Sequence, residues 1–154
     1  MVVDITRLVS YRVLMLSSTL ARWAAREYLQ RFNLKLPEWR IISVVGARGP
    51  ISPGDVSEVL SVDKAWISRT LPGLVKRNLL VVSLDLNNKR RTFLTLTNEG
   101  AALHGELSKA SQERQNQLLN ALTADERNEF ERLLAVLQSE AENMLMHQSA
   151  PAQD

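Results

Sequence analysis

The chain of 154 residues contains no cysteine. That excludes a disulfide scaffold, a thiolate zinc site, a cysteine nucleophile and a thiol redox switch. It has only six glycines and five prolines, and aromatic residues make up 5% of it. Strand-rich folds draw on aromatics and turn formers, so this scarcity favours helices. Apolar runs are short: Val13-Leu14-Met15-Leu16 gives way at once to Ser17, Ser18 and Arg22. Nothing approaches the ~20 consecutive apolar residues of a membrane span, or the apolar stretch and cleavage site of a signal peptide. A cytoplasmic protein with no membrane partner is the expectation. The net charge, +2, selects no class of partner by itself. What is present is 45% hydrophobic and 23% charged residues, the balance of one globular domain with a sizeable core.

The small net charge conceals a division. Residues 1–36 carry six cations against two acids, and residues 37–97 carry nine against five, so each stretch has a net of +4. Residues 98–154 carry four cations against ten acids, a net of −6. Affinity for a polyanion therefore belongs to the first two thirds of the chain, unless these charges are ordinary solvated helix faces.

Ile5 to Phe32 reads as one long helix, with Ile5, Leu8, Val9, Val13, Leu16, Leu20, Trp23, Ala24 and Leu29 at helical spacing. A helix of that length outruns a small domain, so part of its stripe is expected to meet a second chain. Pro37 opens a second helix that turns Trp39, Ile42 and Val45 to one side. After the Gly49-Pro50 turn, Ser52 and Pro53 start a third, short helix with Val56, Val59 and Leu60 as its apolar face. Asp63 caps a fourth, carrying Ile67, Leu71, Leu74 and Val75 inward, and Asn78 suits the left-handed position after its end. Two short helices joined by a tight turn are a helix-turn-helix candidate. Leu79–Leu84 and Thr92–Thr97 are strand formers around the basic tip Asp85–Arg91, which predicts a hairpin. Thr97 caps a fifth helix, and the capping box Thr123-Ala124-Asp125-Glu126 opens a sixth, with Phe130, Leu133, Leu134, Leu137 and Met144.

The order of elements predicts a mainly α fold with a small β-hairpin wing: a winged helix-turn-helix flanked by N- and C-terminal dimerisation helices. Pairing the end helices across a two-fold axis would bury their stripes and present two recognition helices to palindromic duplex DNA. Here Asp63-Lys64-Ala65-Trp66-Ile67-Ser68-Arg69, the hairpin Asp85–Arg91 and Leu94-Thr95-Leu96-Thr97-Asn98-Glu99-Gly100 resemble the MarR family of winged helix-turn-helix transcriptional regulators. The closing Leu-Thr-x-x-Gly signature stands as Leu96, Thr97 and Gly100, and the helix order matches from about Ile5 to Met146. The resemblance implies a triangular homodimer. Residues 1–36 would be the N-terminal helix of its dimerisation region and 37–97 the DNA-binding winged helix-turn-helix. Residues 98–146 would supply the C-terminal dimerisation helices, and 147–154 a flexible tail.

The chain departs from the family pattern in places. The wing signature Asp-x-x-Asp-Arg-Arg falls on Asp85, Asn88, Lys89 and Arg90, so lysine stands where the family inserts an arginine in the minor groove. Lysine keeps the charge and loses the planar fork. Arg90 or Arg91 could take over that role. Trp66 stands where small polar residues are usual. Pro72 removes a backbone hydrogen bond toward Ser68, at ~3 kcal/mol in a straight helix. A kink near Pro72, or a recognition helix that ends before it, is the expectation.

Ser68 and Arg69 are the candidate base readers, Arg69 for a guanine edge or, alternatively, for phosphate. Lys64 suits a phosphate. Trp66 either stacks on sugar or a thymine methyl, or packs against the preceding helix. Ser52 and the helix N-terminus behind it offer amides to a phosphate, or serve as a simple cap. Lys89, Arg90 and Arg91 are the wing contacts, with a solvated basic turn as the plain alternative. The family's small aromatic or phenolic effectors would meet Trp23, Arg26, Trp39 and Arg40 here, unless both tryptophans are ordinary core. His104 and His147 lack nearby carboxylates for a metal site, and no cofactor is expected.

The expected partners are thus double-stranded DNA, a second copy of the chain and a small aromatic ligand. The expected function is that of a repressor released by the ligand. A winged-helix adapter that binds protein instead of DNA is the alternative, favoured by Trp66 and Pro72-Gly73. An enzyme is not expected: no nucleophile–base pair, glycine-rich phosphate loop or metal-ligand spacing is present, and Asp125, Glu126, Glu129 and Glu131 read as a helix start with its solvated face.

Overall fold

In the computed structural model, residues 3–84 and 91–148 are described. Six helices and one hairpin follow in the order α1 (Val9–Phe32), α2 (Leu36–Arg48), α3 (Pro53–Leu60), α4 (Lys64–Lys76), β1 (Leu80–Leu84), β2 (Thr92–Leu96), α5 (Asn98–Leu119) and α6 (Ala124–Gln148). The chain divides after Lys109 into two compact units.

The first unit holds α1 to β2 and the start of α5. Its core is Tyr28, Leu34, Ile41, Ile42, Val56, Ile67, Leu74, Leu80 and Leu94, all at 2% exposure or less. Local chemistry sets the boundaries. Ser52 Oγ accepts from the Asp55 N–H (3.1 Å), and Asp63 Oδ1 accepts from the Trp66 N–H (2.6 Å). Asn33, Ser61 and Asn78 take left-handed backbone angles where α1, α3 and α4 end. The hairpin is antiparallel, pairing Leu80 with Leu96 and Leu84 with Thr92. Ile51 adds a bridge on the other side of β2, exchanging two backbone hydrogen bonds with Leu94 (3.2 and 2.8 Å).

Three expectations need correcting. The first helix does not begin at Ile5. Asp4 takes the Thr6 N–H and hydroxyl (3.0 and 2.7 Å), closing a separate 3-10 turn over Ile5–Arg7, and Leu8 is extended before α1 starts. The apolar faces of α3 and α4 are narrower than their patterns suggest. Val59 and Val75 are exposed, while Ser57 is buried and donates to the Val62 carbonyl (2.6 Å) inside the inter-helix turn. Finally, α4 does not end before Pro72 but continues to Lys76. Pro72 and Ser68 are both exposed, so the carbonyl that the proline leaves without a helical donor is not sealed in the core. Ile67 and Leu74 anchor the helix on either side of it.

The second unit holds the end of α5 and α6. The Thr123 N–H donates to Glu126 Oε2 (2.8 Å) and the Glu126 N–H returns to Thr123 Oγ1 (3.3 Å), the reciprocal pair expected at this start. The Thr123 N–H and then its hydroxyl, which donates to the same Oε2 (2.9 Å), hold the exposed Glu126 carboxyl below its ordinary pKa. Along α6, Phe130, Leu133, Leu134, Leu137 and Met144 are all exposed.

Candidate nucleic-acid interface

The helix-turn-helix is built by α3 and α4, with α4 also packing against β1. One face of α4 is sealed by Ile67 and Leu74. On the open side Lys64, Ser68 and Arg69 are exposed. Ser68 and Lys64 are one turn apart, and the Ser68 hydroxyl donates to the Lys64 carbonyl (3.0 Å). The hydroxyl proton is thereby engaged, and the serine oxygen keeps only acceptor capacity. Arg69 keeps five donors in a planar fork suited to a base edge or a phosphate. Trp66 is half-buried, between the two alternatives expected of it.

Ser52 sits at the start of α3. Its hydroxyl donates to Asp55 Oδ2 (2.7 Å) while accepting the Asp55 N–H. Both roles of that side chain are engaged in capping, and the exposed Asp55 carboxylate lies beside it. In the wing, Arg91 is exposed, with its guanidinium 6.0 Å from the Phe93 ring centroid. That cation–π contact steadies the arginine at the base of β2. Lys89 and Arg90 lie outside the described residues, as does the expected tail from residue 149 onward.

The effector candidates fall on α1 and α2. Trp39 stacks on the buried Tyr28, with centroids 4.6 Å apart and planes 17° from parallel. It is thus part of the α1–α2 seam. Trp23 and Arg26 are exposed on α1, and Arg40 is half-buried on α2. A shallow apolar depression lies in the second unit instead, lined by Leu122, Asp125, Glu126, Glu129, Phe130 and Leu133. His104 packs its ring against Gly46 of α2, where an added Cβ would lie 2.5 Å from it. Among the described residues no group of three or more His, Asp or Glu side chains is placed to hold a metal.

A sequence model of the MarR family matches residues 32–91, from the end of α1 into the wing. A crystal structure of a MarR/EmrR family transcriptional regulator from Acinetobacter sp. ADP1 aligns with 92% of this chain and 99% of its own, at a TM-score of 0.83 and 30% identity. The chain belongs to the MarR family. That is a family of transcriptional regulators rather than enzymes. Among curated relatives, the HTH-type transcriptional regulator YvnA of Bacillus subtilis (strain 168) is 30% identical over 94 residues, 59% of this chain and 60% of the relative. The alignment thus spans a little over half the length of that relative. The Staphylococcus aureus MepR–DNA complex shares the fold, with a TM-score of 0.80 over 87% of this chain and 98% of its own at 20% identity.

The MarR signature Leu96-Thr97-x-x-Gly100 has a local cause in this chain. Thr97 Oγ1 donates to the Asn78 carbonyl (2.6 Å) and accepts the Gly100 N–H (3.0 Å), joining the end of α4 to the start of α5. A Cβ on Gly100 would overlap the Leu79 carbonyl, so this close approach admits only glycine. One residue of the MarR module escaped the pattern reading. Arg77 registers in the sequence only as a charge at a helix end, yet its side chain reaches Asn33, 44 positions earlier. No local spacing signals such a contact.

Proposed function

We propose that this MarR-family chain is a DNA-binding transcriptional regulator acting as a cytoplasmic homodimer, mainly as a repressor released by a small aromatic or phenolic ligand. The observation that carries the DNA-binding part is α4. It is fastened on one face by Ile67 and Leu74 and open on the other with Lys64, Ser68 and Arg69 exposed. In this reading Ser68 and Arg69 read base edges in the major groove, Lys64 holds phosphate and Trp66 lies along the sugar edge. Arg91, with Lys89 and Arg90, is the wing's contribution to the minor groove. Ser52 serves chiefly as a cap.

Homodimerisation is supported by the apolar residues left exposed at both ends of the chain. Val9, Val13, Leu14 and Leu16 of α1, with Leu133, Leu134 and Leu137 of α6, are 43–63% exposed. Stripes of that kind mark protein interfaces. Residues 1–36 and 98–146 would form the dimer region around the 37–97 module. Trp23, Arg26, Trp39 and Arg40 are the effector residues of this reading, the arginines for a carboxylate and the indoles for a ring. No described helix is long and apolar enough to cross a membrane.

Selection of genomic fragments with the purified protein tests the function. A pseudo-palindrome with half-sites ~10 bp apart is the expected product. Its affinity should fall steeply with salt as phosphate contacts release counterions. Arg69→Ala should relax discrimination at one base position by ~1–3 kcal/mol. Lys89→Ala should weaken all duplexes alike and lower the salt slope by about one. A preparation that enriches no motif and shows a flat salt response would favour the adapter reading instead.

A further inference from the structure

The end of α4 is fastened to the corner between α1 and α2. Arg77 is the residue on which α4 closes, its N–H donating to the Gly73 carbonyl (3.1 Å). Its side chain turns away from the hairpin toward the α1–α2 junction. There Nη1 donates to the Asn33 carbonyl (3.0 Å) and lies 3.6 Å from Glu38 Oε2. Asn33 is the left-handed residue that ends α1, and its N–H is directed back to the Leu29 carbonyl (3.1 Å). Its carbonyl is therefore left facing out of the helix, where the guanidinium takes it. Glu38 is held from the other side: its Oε2 accepts the Lys35 N–H (2.8 Å) at the start of α2. A Cβ on Gly73 would lie 3.5 Å from Glu38 Oε1, so the last turn of α4 runs directly beside this carboxylate.

The pair is not a loose surface contact. The side chains are 34% and 14% exposed for Arg77 and Glu38. The hydrogen bond to the Asn33 carbonyl is charge-assisted, and the ion pair to Glu38 is less screened than a fully exposed one. The adjacent Trp39 is stacked on the buried Tyr28, which fixes the helical turn that presents Glu38.

We propose that Arg77 is a positioning residue: by gripping Asn33 and Glu38 it sets the angle of the recognition helix against the α1–α2 corner, and thereby the selectivity of DNA binding. The inference rests on α4 being the base-reading helix. Base readout requires side chains held within about 0.5 Å and 10–20° of their working geometry. Phosphate contacts tolerate much more. Loss of the strut therefore reduces specific binding while non-specific binding stays. The same corner carries Trp39 and Arg40, so a ligand that displaces Glu38 would act on α4 through this strut.

The test uses the full-length protein and two duplexes of equal length, one enriched by selection with the wild type and one scrambled. Arg77→Met removes the donors and keeps much of the bulk; Arg77→Lys keeps the charge without the planar fork, and Glu38→Gln keeps an acceptor without charge. Arg77→Met is expected to lower the ratio of specific to scrambled affinity by about tenfold, with scrambled affinity unchanged. Arg77→Lys and Glu38→Gln are expected to lower it less. Hydrogen exchange without DNA reads the strut directly, and amides of residues 33–39 and 74–79 should exchange faster in Arg77→Met.

An unchanged ratio in a folded Arg77→Met overturns the proposal. So does an equal loss on both duplexes, which would make Arg77 a phosphate contact. Should Arg77→Met fail to fold, Arg77→Lys and Glu38→Gln decide alone, and wild-type ratios in both overturn it. Faster exchange at 33–39 and 74–79 in a protein that selects no duplex would keep the strut and refute α4 as the reading helix, and with it the role in selectivity.

Discussion

The helix-turn-helix with its hairpin and the two ends of the chain follow opposite rules. In residues 37–97 the apolar residues of each helix largely turn into a shared core, with Ile41, Ile42, Val56, Ile67, Leu74 and Leu94 at 1% exposure or less. Polar and basic side chains occupy most of the outer faces, with Val59, Val75, Val81, Val82 and Leu84 as the exposed apolar exceptions among the described residues. At the ends of the chain, Val9 and Leu14 of α1 are each 63% exposed, and Leu145 and Met146 near the end of α6 are 66% and 63% exposed. The middle can close on itself, whereas the end helices carry apolar surface that one copy leaves open to water. The contrast separates two tasks. In the proposed function, one region holds the reading head and the other is covered by a second copy.

Breaking the open ends should have the largest effect. Charging α6 with Leu134→Glu and Leu137→Glu together should halve the mass seen by analytical ultracentrifugation. It should cut affinity for a palindromic duplex by roughly a hundredfold or more, because the second reading head no longer binds together with the first. The helix-turn-helix core should survive, with its hydrogen exchange unchanged. A variant that stays dimeric would show that the stripe is not the interface.

The converse experiment attacks the closed region. Gly100→Ala forces a methyl into the Leu79 carbonyl, and overpacking against backbone costs ~1–3 kcal/mol. A fall in thermal midpoint with dimer mass intact is the expected outcome, measured by calorimetry alongside sedimentation. The smallest effect belongs to the cap of α6. Thr123→Ala should lower the midpoint by only a few degrees. The Glu126 carboxyl in this box has a lowered pKa, caused first by the Thr123 backbone N–H and then by its hydroxyl. Its contribution is present above the ordinary glutamate pKa and is lost as pH falls through the lowered one. The difference between wild type and Thr123→Ala should therefore shrink on acidification.

Much of this was readable from residue order, and the reason is range. Caps at Ser52, Asp63, Thr97 and Thr123 act over three residues, and so they can be read from neighbouring positions. The left-handed Asn78 and the strands on either side of Asp85–Arg91 are equally local. What the pattern missed is either a competition between local signals or a long-range meeting. At the start of α1 the Asp4–Thr6 hydrogen bonds outcompete a continuous apolar stripe. At Pro72 tertiary anchoring by Ile67 and Leu74 overrides the proline's local penalty. The bridge from Ile51 to Leu94, the His104 ring on Gly46 and the reach of Arg77 to Asn33 join residues more than 40 positions apart. Within the candidate site, the exposure of Lys64, Ser68 and Arg69 followed from helical periodicity. The cap at Ser52 was equally local, and its engagement with Asp55 bears out capping over the alternative of a phosphate site.

The fastening at the root of the hairpin has a consequence for how such a protein can be altered. Both strands are tied down below the tip, one through Leu80 and Leu96 and the other through Ile51 and Leu94, while Thr97 knots the chain to Asn78. The mount formed by Ile51, Leu80, Leu94 and Leu96 is thereby a fixed chuck, clamped by backbone hydrogen bonds that owe nothing to the side chains it holds.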